Sequence, residues 1–280
     1  QMMVISRPHQ GVPRKVGPIL ADSIRNSKLI LVLDTRGFEK AIDEARSRGA
    51  RVLVTDVHGV EDYVVRALLD VDVEAMNRNA ELVAELWEQT KVCRVTSHQG
   101  TEVSFELMPR KCKVGDAILS EDGEIDFYPG TQVTIAPVEE TINGTIVVDA
   151  SDSVQGVIST PYSLIVKNGV ISAVDGDEEA TVMRRWLESL NDETIYKICH
   201  VSLGLNPQAG ISGNMTEDER KLAALDIGFG SQNPEYGGTV GLGPYHEDIV
   251  MATPTIYLDG KEMSGDGELN PDMGFEKLRK

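Results

Sequence analysis

Lys28-Leu29-Ile30-Leu31-Val32-Leu33, followed by Phe38-Glu39-Lys40-Ala41-Ile42-Asp43-Glu44-Ala45 and, after a stop at Gly49, by Arg51-Val52-Leu53-Val54, decides the first part of the fold. The outer runs are short, apolar and rich in β-branched residues, whereas the middle one places apolar residues at helical spacing. Strand, helix, strand in that order implies a parallel βαβ layer with helices covering its faces. Upstream, Met2-Met3-Val4-Ile5 reads as a strand already in mid-fold, and since the chain opens on Gln1 a truncated N-terminus is expected. Downstream, a long helical pattern at about Val73–Lys91 carries Met76, Leu82, Val83, Leu86 and Trp87 on one stripe, which is a core-facing face. That helix is expected to close a first αβ domain at residues 1–91.

From Val92 the grammar changes to short strands punctuated by Asp122-Gly123, Asn143-Gly144, Asn168-Gly169 and Asp259-Gly260. Such pairs tolerate the positive φ angles of tight hairpins, so residues 92–280 are expected to form a second, β-rich domain. One helix, at about Glu178–Leu190, interrupts it, with Asp177 or Asp175 as the candidate N-cap. The predicted class is therefore α/β: an αβ N-terminal domain with parallel strands, then a mixed α+β domain.

With 41% apolar and 26% charged residues the chain can bury a sizeable core, which excludes wholesale disorder. Its 27 basic and 45 acidic residues give a formal charge of -18, which repels a phosphate backbone, so nucleic acid is not an expected partner. A solvated acidic surface accounts for that charge without any steering role. The three cysteines, Cys93, Cys112 and Cys199, are too few and too widely spaced for a disulfide framework or a CxxC site; a reducing, cytoplasmic setting fits. No apolar run approaches the roughly 20 residues that span a bilayer, so no membrane association is expected.

Chemistry has few places to reside, since there are only five histidines. His246 and Asp248 stand at i and i+2 in Pro244-Tyr245-His246-Glu247-Asp248, so on an extended strand both side chains leave from one face and can reach one ion. Chance alone supplies ~0.8 His-x-acid matches in a chain of this composition, so the motif by itself decides nothing. His200, in the strand-like run Ile198-Cys199-His200-Val201-Ser202-Leu203-Gly204, adds a second imidazole. Two imidazoles and one carboxylate form the facial set that leaves positions open on Fe(II). For His200 alone, a hydrogen-bonded core histidine is the competing reading. The glycines at 228, 230, 237, 238, 241 and 243 lack the strand-then-helix context of a phosphate loop and read as a pocket wall or as turns.

The stretch Tyr128-Pro129-Gly130-Thr131-Gln132-Val133-Thr134-Ile135-Ala136-Pro137-Val138-Glu139-Glu140-Thr141-Ile142-Asn143-Gly144 resembles the thermophilic metallo-aminopeptidase superfamily in its Pro-x-Gly, Ala-Pro-x-Glu and Asn-Gly segments. Ser97-His98-Gln99-Gly100-Thr101-Glu102-Val103 resembles the Gly-Thr-acidic strand upstream of it, and His246-x-Asp248 the terminal ligand pair. Glu139 falls on the first metal-binding glutamate of that pattern. Two departures lead away from the peptidases: His200 replaces a glutamate, and Asp226 stands where a metal-binding histidine is expected. Histidine at the first of these positions resembles the 2,5-dihydroxypyridine 5,6-dioxygenase branch.

That resemblance implies a mononuclear non-haem Fe(2+) enzyme, held by His200, His246 and Asp248, that cleaves a hydroxylated N-heteroaromatic ring with O2. It also implies a homodimer or higher homo-oligomer. Ring cleavage needs a base for the substrate hydroxyl, and Glu139 and His98 are the candidates. A surface carboxylate and a solvated loop histidine are their respective competing readings. Two rival functions stay open: a two-metal aminopeptidase using Glu139 and Asp226, and a metal-free binding protein with the same fold.

Overall fold

In a computed structural model, residues 17–33, 40–55, 61–69 and 71–278 are described. The strand expected at Met2-Met3-Val4-Ile5 lies outside them. The chain divides into two compact units, one comprising Gln1–Asp56 with Leu119–Asp126, the other Val57–Ile118 with Phe127–Lys280.

In the smaller unit, strands Leu29–Val32 and Arg51–Val54 pair in parallel, as the strand-helix-strand order requires, with Lys40–Arg46 as the helix between them. The strand Ile125–Phe127 completes a three-stranded sheet on the far side of Arg51–Val54. Val52 and Val54 are fully buried, as are Ala41, Ile42 and Ala45 of the helix, so one face of the layer is closed by small and branched side chains.

Among the described residues the larger unit contains a seven-stranded and an eight-stranded sheet, whose strand pairs are antiparallel. Both sheets contribute to a single core, in which Val95, Val103 and Phe105 of one meet Ile135, Val201 and Leu203 of the other. The helix Val73–Gln89 is part of this unit and of this core through Ala80, Val83 and Trp87. Its start is set by Asp72, whose side chain accepts from the Ala75 N–H at 2.9 Å. Trp87 is 1% exposed, so Trp87→Ala is expected to lower stability by about 3–5 kcal/mol through lost burial and a cavity; chemical denaturation checks this. The helix Glu178–Leu190 forms at its predicted place, but the side chain of Asp177, at the cap position, makes no capping hydrogen bond.

Two of the glycine pairs behave as read. Asn168-Gly169 and Asp259-Gly260 have consecutive positive φ angles, 49° and 75° and then 47° and 84°, and close hairpins between antiparallel neighbours. Asp266-Gly267, with 50° and 78°, is a third such turn. Asn143-Gly144 corrects the reading: it lies inside the strand Asn143–Val148, not at a turn. A Cβ on Gly144 would stand 2.1 Å from the Glu102 carbonyl oxygen, so the glycine permits a close approach of two backbones.

Candidate metal centre

Three adjacent strands of the seven-stranded sheet build the site: Ile198–Gly204, Leu225–Gly230 and His246–Met251. Register places His200 opposite Gly228, and Gly228 opposite Asp248, so these three lie in one row across the sheet. With a side-chain period of two, Asp226 and His246 fall on the same face as that row. The strand Leu225–Gly230 thus presents Asp226, Gly228 and Gly230 to one side and Leu225, Ile227 and Phe229 to the core, all of them buried.

His200 Nε2 stands 3.0 Å from Asp226 Oδ2 and 3.5 Å from Asp248 Oδ1. His246 Nε2 stands 3.0 Å from the same Asp248 oxygen, and the two imidazoles stack with centroids 5.3 Å apart. His246 Nδ1 donates to the Ser231 carbonyl at 2.7 Å, which fixes the ring and leaves Nε2 as the atom turned to the carboxylate. Cys199 Sγ lies 3.6 Å from His200 Nδ1 and 3.8 Å from His246 Nδ1, on the opposite edge of both rings.

Charge is concentrated here. Burial pushes the Asp226 carboxyl well above the usual carboxylate range, and the negative charge of Asp248 pushes it further. Burial acts the same way on Asp248, but the charge and hydrogen bond of His246, with His200 beside it, outweigh it and hold that carboxyl below its ordinary value. For His246 burial disfavours the cation, yet Asp248 prevails and raises it.

Two observations test whether a metal ion fits. Asp226 is fully buried, and its Oδ1 has no hydrogen-bond partner among the described residues, an arrangement that costs stability unless a cation offsets it. The imidazole and carboxylate atoms are 3.0–3.5 Å apart, the spacing of neighbouring ligands around one ion at bond lengths of roughly 2 Å. His200, Asp226 and Asp248 form one group able to hold an ion, and Cys199, His200 and His246 another. The donors fit.

The remaining sequence candidates lie elsewhere. His98, on the turn between strands Val92–Thr96 and Glu102–Glu106 of the other sheet, has a 90% exposed side chain whose Nε2 is 3.4 Å from Asp266. Glu139, in the short turn Glu139–Thr141, is buried, and its carboxylate bonds to Arg110, Gln232 and the Thr239 N–H. It reaches the neighbourhood of the imidazoles through Gln232, whose amide donates both to Glu139 and to the carbonyl of Cys199. Burial raises its carboxyl, but the Thr239 N–H, Gln232 and Arg110 more than offset that and keep it below the usual range. Tyr236 was not singled out in the sequence, yet its ring stands edge-on to His200 with centroids 5.3 Å apart. Gly228 and Gly230, for which a pocket wall or turns were expected, are residues of the strand Leu225–Gly230. The alternation of Asp, Gly and Gly with Leu, Ile and Phe was the signal for this.

Among the described residues no helix is long and apolar enough to cross a membrane. Comparison with known proteins bears on what the arrangement belongs to. The chain is 28% identical over 192 residues to the 2,5-dihydroxypyridine 5,6-dioxygenase of Pseudomonas putida KT2440, covering 64% of this chain and 55% of that relative's length. The chain thus spans about half of the curated relative it matches. The solved structure of 2,5-dihydroxypyridine dioxygenase from the same organism superposes with a TM-score of 0.74 at 21% identity, covering 90% of this chain and 74% of that one. AmpT of Thermus thermophilus shares the fold at a TM-score of 0.57 and 16% identity, over 89% of this chain and 78% of its own. The sequence pattern of one family, described as NicX, 2,5-dihydroxypyridine 5,6-dioxygenase, runs through residues 12–271. A match of that extent takes in both compact units as well as the three strands of the centre, and this chain therefore belongs to the NicX family.

Proposed function

We propose that this protein is a mononuclear non-haem iron dioxygenase that opens the ring of a hydroxylated N-heteroaromatic such as 2,5-dihydroxypyridine with O2. The observation that carries the reading is the meeting of His200, His246 and Asp248 on one sheet face, in a chain of the NicX family. His200 and His246 would hold the ion through Nε2 and Asp248 through Oδ1. Bound there, ferrous iron supplies open positions for oxygen and substrate and the reducing electrons that oxygen chemistry requires.

The chain's own residues prepare that site. Ser231 holds His246 by its Nδ1–H, so the nitrogen offered to the metal is not left to rotamer or tautomer choice. The flanking strands exclude water from His200 and Asp226, which strengthens every charge interaction there. Tyr236 lies edge-on against His200 and so places an aromatic ring beside the metal-binding imidazole. The substrate hydroxyl must lose a proton; of the two sequence candidates for the base, His98 faces solvent on the other sheet, and Glu139, nearer the site, has both carboxylate oxygens held by Arg110, Gln232 and the Thr239 N–H. A cytoplasmic homo-oligomer belongs to the same reading, and light scattering tests the assembly.

The expected metal count is one ferrous ion per chain. Anaerobic purification, metal analysis and an oxygen electrode with hydroxypyridines check it. Two tightly bound ions, with peptide hydrolysis and no oxygen uptake, would instead establish the aminopeptidase alternative, in which Asp226 serves a second ion.

A further inference from the structure

We propose that Glu139 is a positioning residue that, with Arg110 and Gln232, clamps the 231–245 loop carrying Tyr236 against the metal centre, and so governs substrate fit without taking the substrate's proton. The substrate half of this rests on the dioxygenase reading; the clamp does not.

Both carboxylate oxygens of Glu139 are occupied. Oε2 accepts from Arg110 Nη2 at 2.6 Å, and Oε1 accepts from the Thr239 N–H at 2.5 Å and from Gln232 Nε2 at 3.3 Å. Taking a proton would mean breaking up an ion pair in which Glu139 and Arg110 are 9% and 17% exposed, and leaving the guanidinium without its counter-charge. The same three side chains hold the loop at consecutive points. Arg110 Nη1 donates to the Gly237 carbonyl, Glu139 receives the Thr239 N–H, and Gln232 Oε1 receives the Val240 N–H at 3.1 Å. Gly238 lies so close that a Cβ there would stand 2.0 Å from Gln232 Nε2.

The loop needs such a clamp. Its glycines at 237, 238, 241 and 243 give it a large conformational freedom that packing alone, at the surface, does not remove. Its start is anchored at the metal centre itself, because the Ser231 carbonyl receives His246 Nδ1–H. Its far side hangs on Glu139. Tyr236 sits between the two anchors, in the turn Pro234–Tyr236 capped by Asn233, and is thereby brought edge-on to His200. Gln232 joins the clamp to the site, since it also donates to the carbonyl of Cys199, the residue before His200.

Hydrogen exchange of residues 233–243, measured on the full chain with and without iron and in the absence of substrate, tests the clamp. Glu139→Ala and Arg110→Ala are each expected to speed exchange there by at least ~tenfold, through local opening, with iron content unchanged. Glu139→Gln keeps the volume and one acceptor, and it carries the test if the alanine variant fails to fold. It is expected to raise KM for the hydroxypyridine while kcat stays within about threefold, the pattern of lost substrate positioning. Unchanged exchange in both alanine variants overturns the clamp. A fall in kcat of ~100-fold or more in Glu139→Gln, with loop exchange unaltered, identifies a general base and overturns it as well. Absence of turnover in the parent protein would count against the dioxygenase reading alone, because the exchange experiment still judges the clamp.

Discussion

Asp248→Ala is expected to strip the metal from the protein while leaving it folded. Its Oδ1 is the carboxylate atom nearest to both imidazoles, 3.0 Å from His246 and 3.5 Å from His200, so its loss removes the anionic member of the three-residue set and the charge that organises the other two. Loss of a residue behind a ligand typically costs ~10–100-fold in affinity or activity, so loss of a ligand itself should exceed ~100-fold in turnover. The fold should tolerate it. Asp248 is not a core side chain, being 17% exposed, and in the metal-free protein its removal both ends its pairing with His246 and relieves repulsion with Asp226, two changes of opposite sign. Thermal melts of the metal-free forms should then agree to within about 1 kcal/mol. Iron quantification on anaerobically loaded protein and an oxygen electrode give the decisive readings, and a variant that loads iron and turns over normally would remove Asp248 from the site.

Gly228→Ala is expected to do nearly as much damage with a single methyl group. Gly228 faces His200 across the ladder, and a Cβ there would stand 2.1 Å from Cε1 and 2.4 Å from Nδ1 of that ring, distances no atoms tolerate. The imidazole must therefore swing away, taking Nε2 from both Asp226 and Asp248. The backbone is not the obstacle, since Gly228 has no positive φ; the effect is purely one of space. Overpacking of this kind costs about 1–3 kcal/mol in stability, and displacement of a ligand should weaken the metal by at least ~tenfold. Competition with a chelator measures the second and denaturant unfolding the first. Unaltered metal affinity would mean that the ring does not occupy the position described.

The site was partly legible in advance. His246 and Asp248 could be paired because strand geometry puts i and i+2 on one face, a relation that needs no knowledge of neighbours. His200, 46 positions before His246, could be added from its strand-like run and the chemistry of two imidazoles with one carboxylate, and the family resemblance then pointed to the same set. Gly228 was harder to read for a different reason. Glycine in a sequence signals a turn more often than a cavity for someone else's side chain, and only the partner strand shows which it is. His98 illustrates the converse: its local motif resembled the family's, but its hairpin belongs to the eight-stranded sheet and its side chain faces water.

By itself the sequence determined what local periodicity and backbone preference control. These are the parallel strand-helix-strand opening, the buried stripe ending at Trp87, the helix Glu178–Leu190 and the hairpins at Asn168-Gly169 and Asp259-Gly260. Each depends on interactions among residues a few positions apart, which a linear reading can see. The tertiary structure alone decided that Asn143-Gly144 is a point of close strand contact, that His200, Gly228 and Asp248 share one row, and that Glu139 is linked to the site through Gln232. These depend on strand register and on the order of strands in a sheet. Register is set by how whole faces bury themselves against one another, and no short stretch of residues contains that information.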